Sequence, residues 1–211
     1  MKKILICLAI LGFLATAAYA EEKPAAADAA NLLVPLAEDN ILGDPKAKVT
    51  IIEYASLSCP HCAAFAKEVL PKLDEEYIKP GKVKYIYRHF PLNAPALKAA
   101  ALTECAPREQ YYTYIEVLFD TQKKWAFTLD YVADLQNIAM LGGMTEADFT
   151  ACMNNKKIEE KVANTRLAAE KNLKVGSTPT IFINGKLVES DHDFPGLKKI
   201  IDAEMAATNG K

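Results

Sequence analysis

The sequence predicts an α/β fold of order βαβ…ββα, with an all-helical domain inserted between its two halves. Three observations carry this. A β-branched segment, Val49-Thr50-Ile51-Ile52-Glu53-Tyr54, runs directly into Cys59-Pro60-His61-Cys62 and a helical repeat. A long, almost wholly helical pattern then follows from Leu92, and strand patterning returns only at Thr180.

Composition sets the outer bounds. Of 211 residues, 51% are hydrophobic and 25% charged, with 25 Lys+Arg against 27 Asp+Glu. That apolar share can offset the conformational entropy of folding, which excludes an intrinsically disordered chain. A formal net charge of −2, with no Lys/Arg run longer than two, excludes a strongly basic nucleic-acid binder.

Each element follows in order. Lys2-Lys3, an apolar run from Ile4 to about Ala15 and the small residues Ala18 and Ala20 have the order of a secretory signal peptide. Residues 1–20 are therefore expected to be removed, with cleavage after Ala20. The apolar run is too short to span a bilayer, and no transmembrane segment is expected in the mature form. Residues 21–35 read as an Ala-rich flexible leader. The first part of the α/β domain is expected over 36–91, the helical insert over 92–172 and the second part over 173–211.

Val49–Tyr54 reads as a buried central strand. Phe65, Val69, Leu73 and Tyr77 recur every four residues, so a helix follows Cys59-Pro60-His61-Cys62, with a kink expected at Pro71. Pro80-Gly81 ends it, and Val83–Tyr87 reads as a second strand. In the insert, Ala94–Cys105, Tyr111–Phe119 and Asp130–Leu141 read as helices. Thr145 with Asp148 marks a further start, and Phe149, Met153, Ile158 and Val162 continue one apolar face. Thr180–Ile183, Asn184-Gly185 and Lys186–Glu189 read as a hairpin on a type I′ turn, followed by a helix carrying Leu197, Ile200, Ile201 and Met205.

The chemistry sits at Cys59 and Cys62. Half of a zinc site would need a second ligand pair, and the sequence has no other CxxC and no HxxxH, so no metal is expected. A structural disulfide closing four residues would constrain the unfolded chain very little. A redox-active disulfide at the start of a helix fits best. Cys59 would lie near unpaired backbone N–H groups and the positive end of the helix dipole, and both favour a thiolate. His61 can give the same sulfur a hydrogen bond or a positive charge, while Pro60 suits a first helical turn. A thiol pKa two units below ambient would raise the potential by ~60 mV, making the pair an oxidant. Cys62, one turn further in, would resolve the mixed disulfide.

Thr178-Pro179 stands at the entry of the returning strand. A turn proline in the trans form is the simpler reading. With the CxxC and this element order, a cis proline opposite the CxxC is preferred, leaving the Thr178 backbone open to an extended substrate.

The stretches from Thr50 to Cys62 and from Ser177 to Gly185 resemble DsbA-family thiol:disulfide oxidoreductases. So do Phe90-Pro91-Leu92 and Leu118–Trp125. The resemblance spans roughly residues 36–205. It implies a thioredoxin fold with an inserted helical domain, a periplasmic setting and oxidation of newly exported proteins, with no cofactor. It implies Cys59 as nucleophile, Cys62 as its resolving partner, His61 as the potential-tuning residue and Thr178-Pro179 as the cis-proline loop. It also implies that Glu53 is an acidic residue beneath the site that assists proton transfer, although the lysine often paired with it is not evident. A membrane quinone-linked reoxidase (DsbB-like) is the partner it implies. Thr178 departs from the valine of the best-known members and is similar to the isomerase branch.

Removal of Cys7 with the signal leaves Cys59, Cys62, Cys105 and Cys152. Cys105 and Cys152 in the insert would be buried small hydrophobes in a reducing cell. In an oxidising compartment they would be a structural disulfide, as in some DsbA relatives. His89 and His192 have no ligand-spaced partner, and Trp125 with Tyr111, Tyr112 and Tyr114 reads as lobe core. Two alternatives to the oxidase stand: a disulfide isomerase or reductase, and a non-enzymatic exported envelope protein retaining the fold.

Overall fold

The computed structural model describes residues 29–209. The expected signal peptide, its cleavage point and most of the leader lie outside them.

A five-stranded mixed sheet forms the frame: β1 (Ile41–Leu42), β2 (Val49–Ala55), β3 (Val83–His89), β4 (Thr180–Ile183) and β5 (Lys186–Leu187), in spatial order β1-β3-β2-β4-β5. β2 runs parallel to β3, in register from Val49 opposite Val83 to Ala55 opposite His89, and antiparallel to β4, with Glu53 opposite Ile181. Every residue of β2 is buried, as a central strand covered on both faces requires.

The two-residue period of a strand divides the core in two. Ile51, Ala55, Tyr85, Tyr87, Ile181 and Ile183 belong to a cluster that continues into the helical lobe and includes Leu197 and Ile201 of the last helix. Ile52, Tyr54, Ile86 and Phe182 lie in a second cluster with Ala169 and Val175.

β2 is followed by α1 (Pro60–Glu68) and α2 (Leu70–Leu73). The expected kink falls at Val69, and Pro71 occupies the first turn of α2, where its missing N–H costs nothing. The lobe contains α3 (Ala94–Cys105), α4 (Tyr111–Asp120), α5 (Gln122–Trp125), α6 (Tyr131–Leu141), α7 (Glu146–Met153) and α8 (Lys156–Leu173). Thr145 caps α7 by accepting from the Asp148 N–H at 3.1 Å. The face expected to run from Phe149 to Val162 is two helices, because the Asn155 side chain accepts from the Lys157 and Ile158 N–H groups and starts α8 afresh. Trp125 is fully buried in the lobe and donates its indole N–H to the Leu118 carbonyl. At the hairpin, Asn184 and Gly185 both have positive φ (48° and 78°), as a type I′ turn needs. β5 is two residues rather than four. The chain closes with α9 (Phe194–Asn209).

The leader assigned to residues 21–35 requires correction at its C-terminal end. Asn31–Leu33 form a 3-10 turn, and Leu32 is buried. The reason is Arg88 on β3, whose guanidinium pairs with Asp39 through two hydrogen bonds of 3.0 and 2.6 Å. It also donates to the Leu32 and Val34 carbonyls. A buried guanidinium must be satisfied on every side, and this short segment supplies the oxygens. β1 was also absent from the sequence reading, since two residues carry no periodicity.

Candidate active site

The turn between β2 and α1 holds the first cysteine. Cys59 is the N-cap residue of α1, extended at φ −82° and ψ 123°, with Pro60 immediately after it. Its N–H donates to the Ser56 carbonyl at 3.0 Å, and its own carbonyl accepts from Ala63 at 3.1 Å. Cys59 and Cys62 are both free thiols and both buried, Cys62 completely.

The surroundings of the two sulfurs differ. The Cys62 thiol donates to the Cys59 sulfur, and this is the largest influence holding the Cys59 thiol down, at about 5. Burial opposes it, while the Thr178 hydroxyl and the backbone N–H groups of Cys62 and His61 reinforce it. Burial pushes the Cys62 thiol strongly upward, and its bond to Cys59 and the nearby Glu53 charge push the same way. One sulfur is stable as a thiolate and its neighbour is stable only with a proton.

Thr178 approaches from the other side of the site. The Thr178–Pro179 bond is cis, and the Cys59 thiol donates to the Thr178 carbonyl at 3.4 Å. The Thr178 hydroxyl is buried without a partner in this dithiol form. It is placed to donate once Cys59 ionises, so the residue serves both protonation states.

The structure therefore brings Cys59, Cys62, Thr178 and Pro179 together, with Glu53 beneath them. Glu53 is buried on β2, and burial raises its carboxyl to about 8 against the lowering effect of a hydrogen bond from Tyr85. His61 is exposed, and the support it gives the sulfur is its backbone N–H, where the sequence suggested its imidazole. Cys105 and Cys152 stand apart from this centre, joined by a disulfide of 2.06 Å between α3 and α7. His89 is buried, held by the Thr103 and Tyr111 hydroxyls at 2.9 and 3.1 Å, and burial lowers it to about 4. His192 is half-buried, 3.4 Å from the Val188 carbonyl. Among the described residues no group of three or more His, Cys, Asp and Glu could hold a metal ion.

Sequence reading missed Gln122. From α5 its amide donates to the Leu57 and Cys59 carbonyls at 2.7 and 3.0 Å, so the helical lobe holds the cysteine turn directly. Gln122 stood inside the Leu118–Trp125 stretch, but nothing in its local pattern signals a contact 63 residues away.

Two free thiols at a helix start, faced by a cis-proline loop on a sheet with a helical insertion, are the arrangement of a thioredoxin-fold oxidoreductase. The thioredoxin family model matches residues 36–203. The crystal structure of Wolbachia pipientis alpha-DsbA1 superposes with a TM-score of 0.76 at 37% identity, over 83% of this chain and 95% of that one. A Rickettsia typhi chain named as a protein-disulfide oxidoreductase is 32% identical over 79% of this chain. This chain spans 62% of that relative's length. A Bacillus anthracis chain named for disulfide bond formation is 32% identical over 84% of this chain and 83% of its own length. The chain belongs to the DsbA family of protein-disulfide oxidoreductases, within the thioredoxin superfamily.

Proposed function

We propose that this protein is a periplasmic dithiol oxidase that donates a Cys59–Cys62 disulfide to newly exported proteins. The observation that carries the reading is the Cys59 sulfur, held near 5 by its donors beside a Cys62 held strongly upward. Donors that stabilise the thiolate stabilise the dithiol protein over the disulfide, so electrons flow from substrate to enzyme.

The steps follow from that asymmetry. A substrate thiolate attacks the Cys59 sulfur, the Cys59–Cys62 bond breaks, and Cys62 leaves and takes a proton. A second substrate thiolate then attacks the substrate sulfur of the mixed disulfide, and Cys59 departs as a thiolate. The low pKa makes Cys59 the better leaving group. Cys59 is thus the nucleophile in the reverse direction and Cys62 the resolving thiol. Pro60 and His61 tune the first turn, His61 through its backbone N–H, and Glu53 serves proton exchange. The backbone before Pro179 would receive an extended substrate strand. Phe127 and Leu129 are exposed just beyond α5 and offer apolar surface to unfolded chains. The name of the Bacillus anthracis relative points to the same direction of reaction. Reoxidation would fall to a membrane quinone-linked partner, and export to a leader cleaved after Ala20. No helix of the described residues is long and apolar enough to cross a membrane.

Mixing oxidised protein with a reduced, unfolded disulfide protein tests this. Disulfides should form faster than with buffer alone, and a Cys59→Ser variant as fast as the parent refutes the mechanism. Thr178, the residue type of the isomerase branch, favours a second reading. Substantial repair of scrambled disulfides and an equilibrium with glutathione lying toward the oxidised protein would support isomerase or reductase activity instead.

A further inference from the structure

Glu53 presents a problem that its strand position alone does not solve. It is a carboxyl inside the sheet with one oxygen, Oε1, buried and without any hydrogen-bond partner. Its other oxygen, Oε2, accepts from the Tyr85 hydroxyl. Register explains the meeting. Glu53 lies opposite Tyr87 across the parallel ladder, and Tyr85, two residues earlier, lies opposite Ile51. All four side chains share one face, and a tyrosine reaches its diagonal neighbour.

The groups acting on this carboxyl come from several elements. Cys59 and Cys62 face it from the start of α1, Tyr85 and Tyr87 from β3, and Tyr112 from α4. β4 sets the apolar Ile181 opposite it. None of these is a cation. The donor that meets Glu53 is a phenol.

We propose that Tyr85 is a positioning residue of the redox centre: its hydroxyl holds Oε2 of Glu53, leaves Oε1 to exchange a proton with Cys62, and stabilises the carboxylate formed when that proton is given up. The inference rests on the oxidoreductase reading above. In the donating direction a substrate thiolate forms a bond to the Cys59 sulfur, the Cys59–Cys62 bond breaks, and its electron pair stays on Cys62. The Glu53 proton then passes to Cys62, leaving a carboxylate whose Oε2 keeps the Tyr85 hydrogen bond. In the opposite direction the carboxylate takes the Cys62 proton and frees that sulfur to attack. No further oxidant or reductant enters either step.

Tyr85→Phe removes the hydroxyl and keeps the ring. Two readouts are taken: the infrared carboxyl band of Glu53 against pH in the dithiol protein, and the pH profile of single-turnover exchange between the Cys59–Cys62 disulfide form and a peptide carrying reduced cysteines. The parent carboxyl titrates near 8. Losing a hydrogen bond made to the charged form should move that titration upward by about one to two pH units, with the exchange profile following. In a Glu53→Gln background the inflection should be gone, and Tyr85→Phe should add no shift. An unmoved titration overturns the proposal even if the variant melts earlier, because a purely structural tyrosine would change stability alone. Should Tyr85→Phe fail to fold, 3-fluorotyrosine placed at position 85 is a stronger donor of the same shape and should move the titration downward; no movement again overturns it. If the parent exchanges no disulfide, the functional reading fails, while the infrared titration still decides whether Tyr85 holds the carboxyl.

Discussion

Cys59 and Cys62 sit one helical turn apart at the start of α1, whereas Cys105 and Cys152 meet across 47 residues to tie α3 to α7. The first pair is surrounded by donors: a neighbouring thiol, the Thr178 hydroxyl and two backbone N–H groups. The second pair has already spent its thiols on a bond between two helices of the lobe. The comparison separates two properties of a disulfide. Donors around one sulfur set how readily the bond is broken, while the length of chain it closes sets how much it stabilises the fold. A four-residue ring is a poor staple and a good reagent. A loop of nearly fifty residues is the reverse.

The largest effect that would break this contrast is loss of the Cys59 thiol. Cys59→Ser should lower disulfide transfer to a reduced peptide by more than about 10³-fold. The Cys105→Ser, Cys152→Ser double variant should retain transfer, measured by thiol counting under the same conditions. Its cost should appear in calorimetry instead. Chain-entropy arguments give about 4 kcal/mol for a loop of this length, a fall in Tm of about 10 °C for a domain of this size. A double variant that melts like the parent would remove the structural half of the contrast.

Alkylation sharpens the reactive half. With a pKa near 5, Cys59 is mostly thiolate at pH 6, where an ordinary thiol is less than about 1% ionised. Its lower intrinsic nucleophilicity gives back part of that advantage, leaving a net rate about tenfold above an ordinary thiol. The rate should halve near pH 5, and Cys62 should stay unmodified. A Cys59 that reacts only above pH 8 would contradict the environment described for it.

A further effect, on stability against pH, concerns Glu53 and has a defined sign. Its folded pKa, about 8, lies above the unfolded value of a glutamate, so the folded state binds more protons than the unfolded one between the two. Stability is therefore lost as pH rises from about 4.3 toward 8. Glu53→Gln should raise Tm at pH 8 by about 10 °C and change it little at pH 4. Cys59 in the dithiol form has the opposite sign. Its pKa is lowered on folding, so its contribution is fully present above the unfolded thiol pKa of about 8.5 and is lost as pH falls through about 5. Melting the dithiol and disulfide forms across this range separates the two groups, since only the first carries a titrating Cys59.

Much of the molecule could be read from contiguous residues. Val49–Tyr54 with Cys59-Pro60-His61-Cys62 is a strand, a turn and a helix start in one stretch, and Asn184-Gly185 specifies its own turn. Helices such as Ala94–Cys105 show themselves by composition. What stayed hidden depends on contacts between distant segments. Gln122 matters because the lobe folds over the Leu57–Cys59 turn, and Tyr85 matters because parallel register sets it diagonal to Glu53. The packed segment around Leu32 looked like leader because Arg88, which needs its carbonyls, lies 56 residues away. The division at Asn154–Asn155 was masked by apolar spacing on both sides, although Asn155 is itself a capping residue type.

The sheet register has a consequence for how the chain comes to life. Ile51 on β2 lies opposite Ile183 on β4, with the whole lobe between them in sequence. A chain emerging from its N-terminus thus presents its cysteine turn before the lobe, and the strand that completes the centre only after it. Until then Cys59 lacks Thr178, and with it part of what distinguishes it from any other thiol. A nascent or truncated copy would be a client of such chemistry before it could be an agent of it.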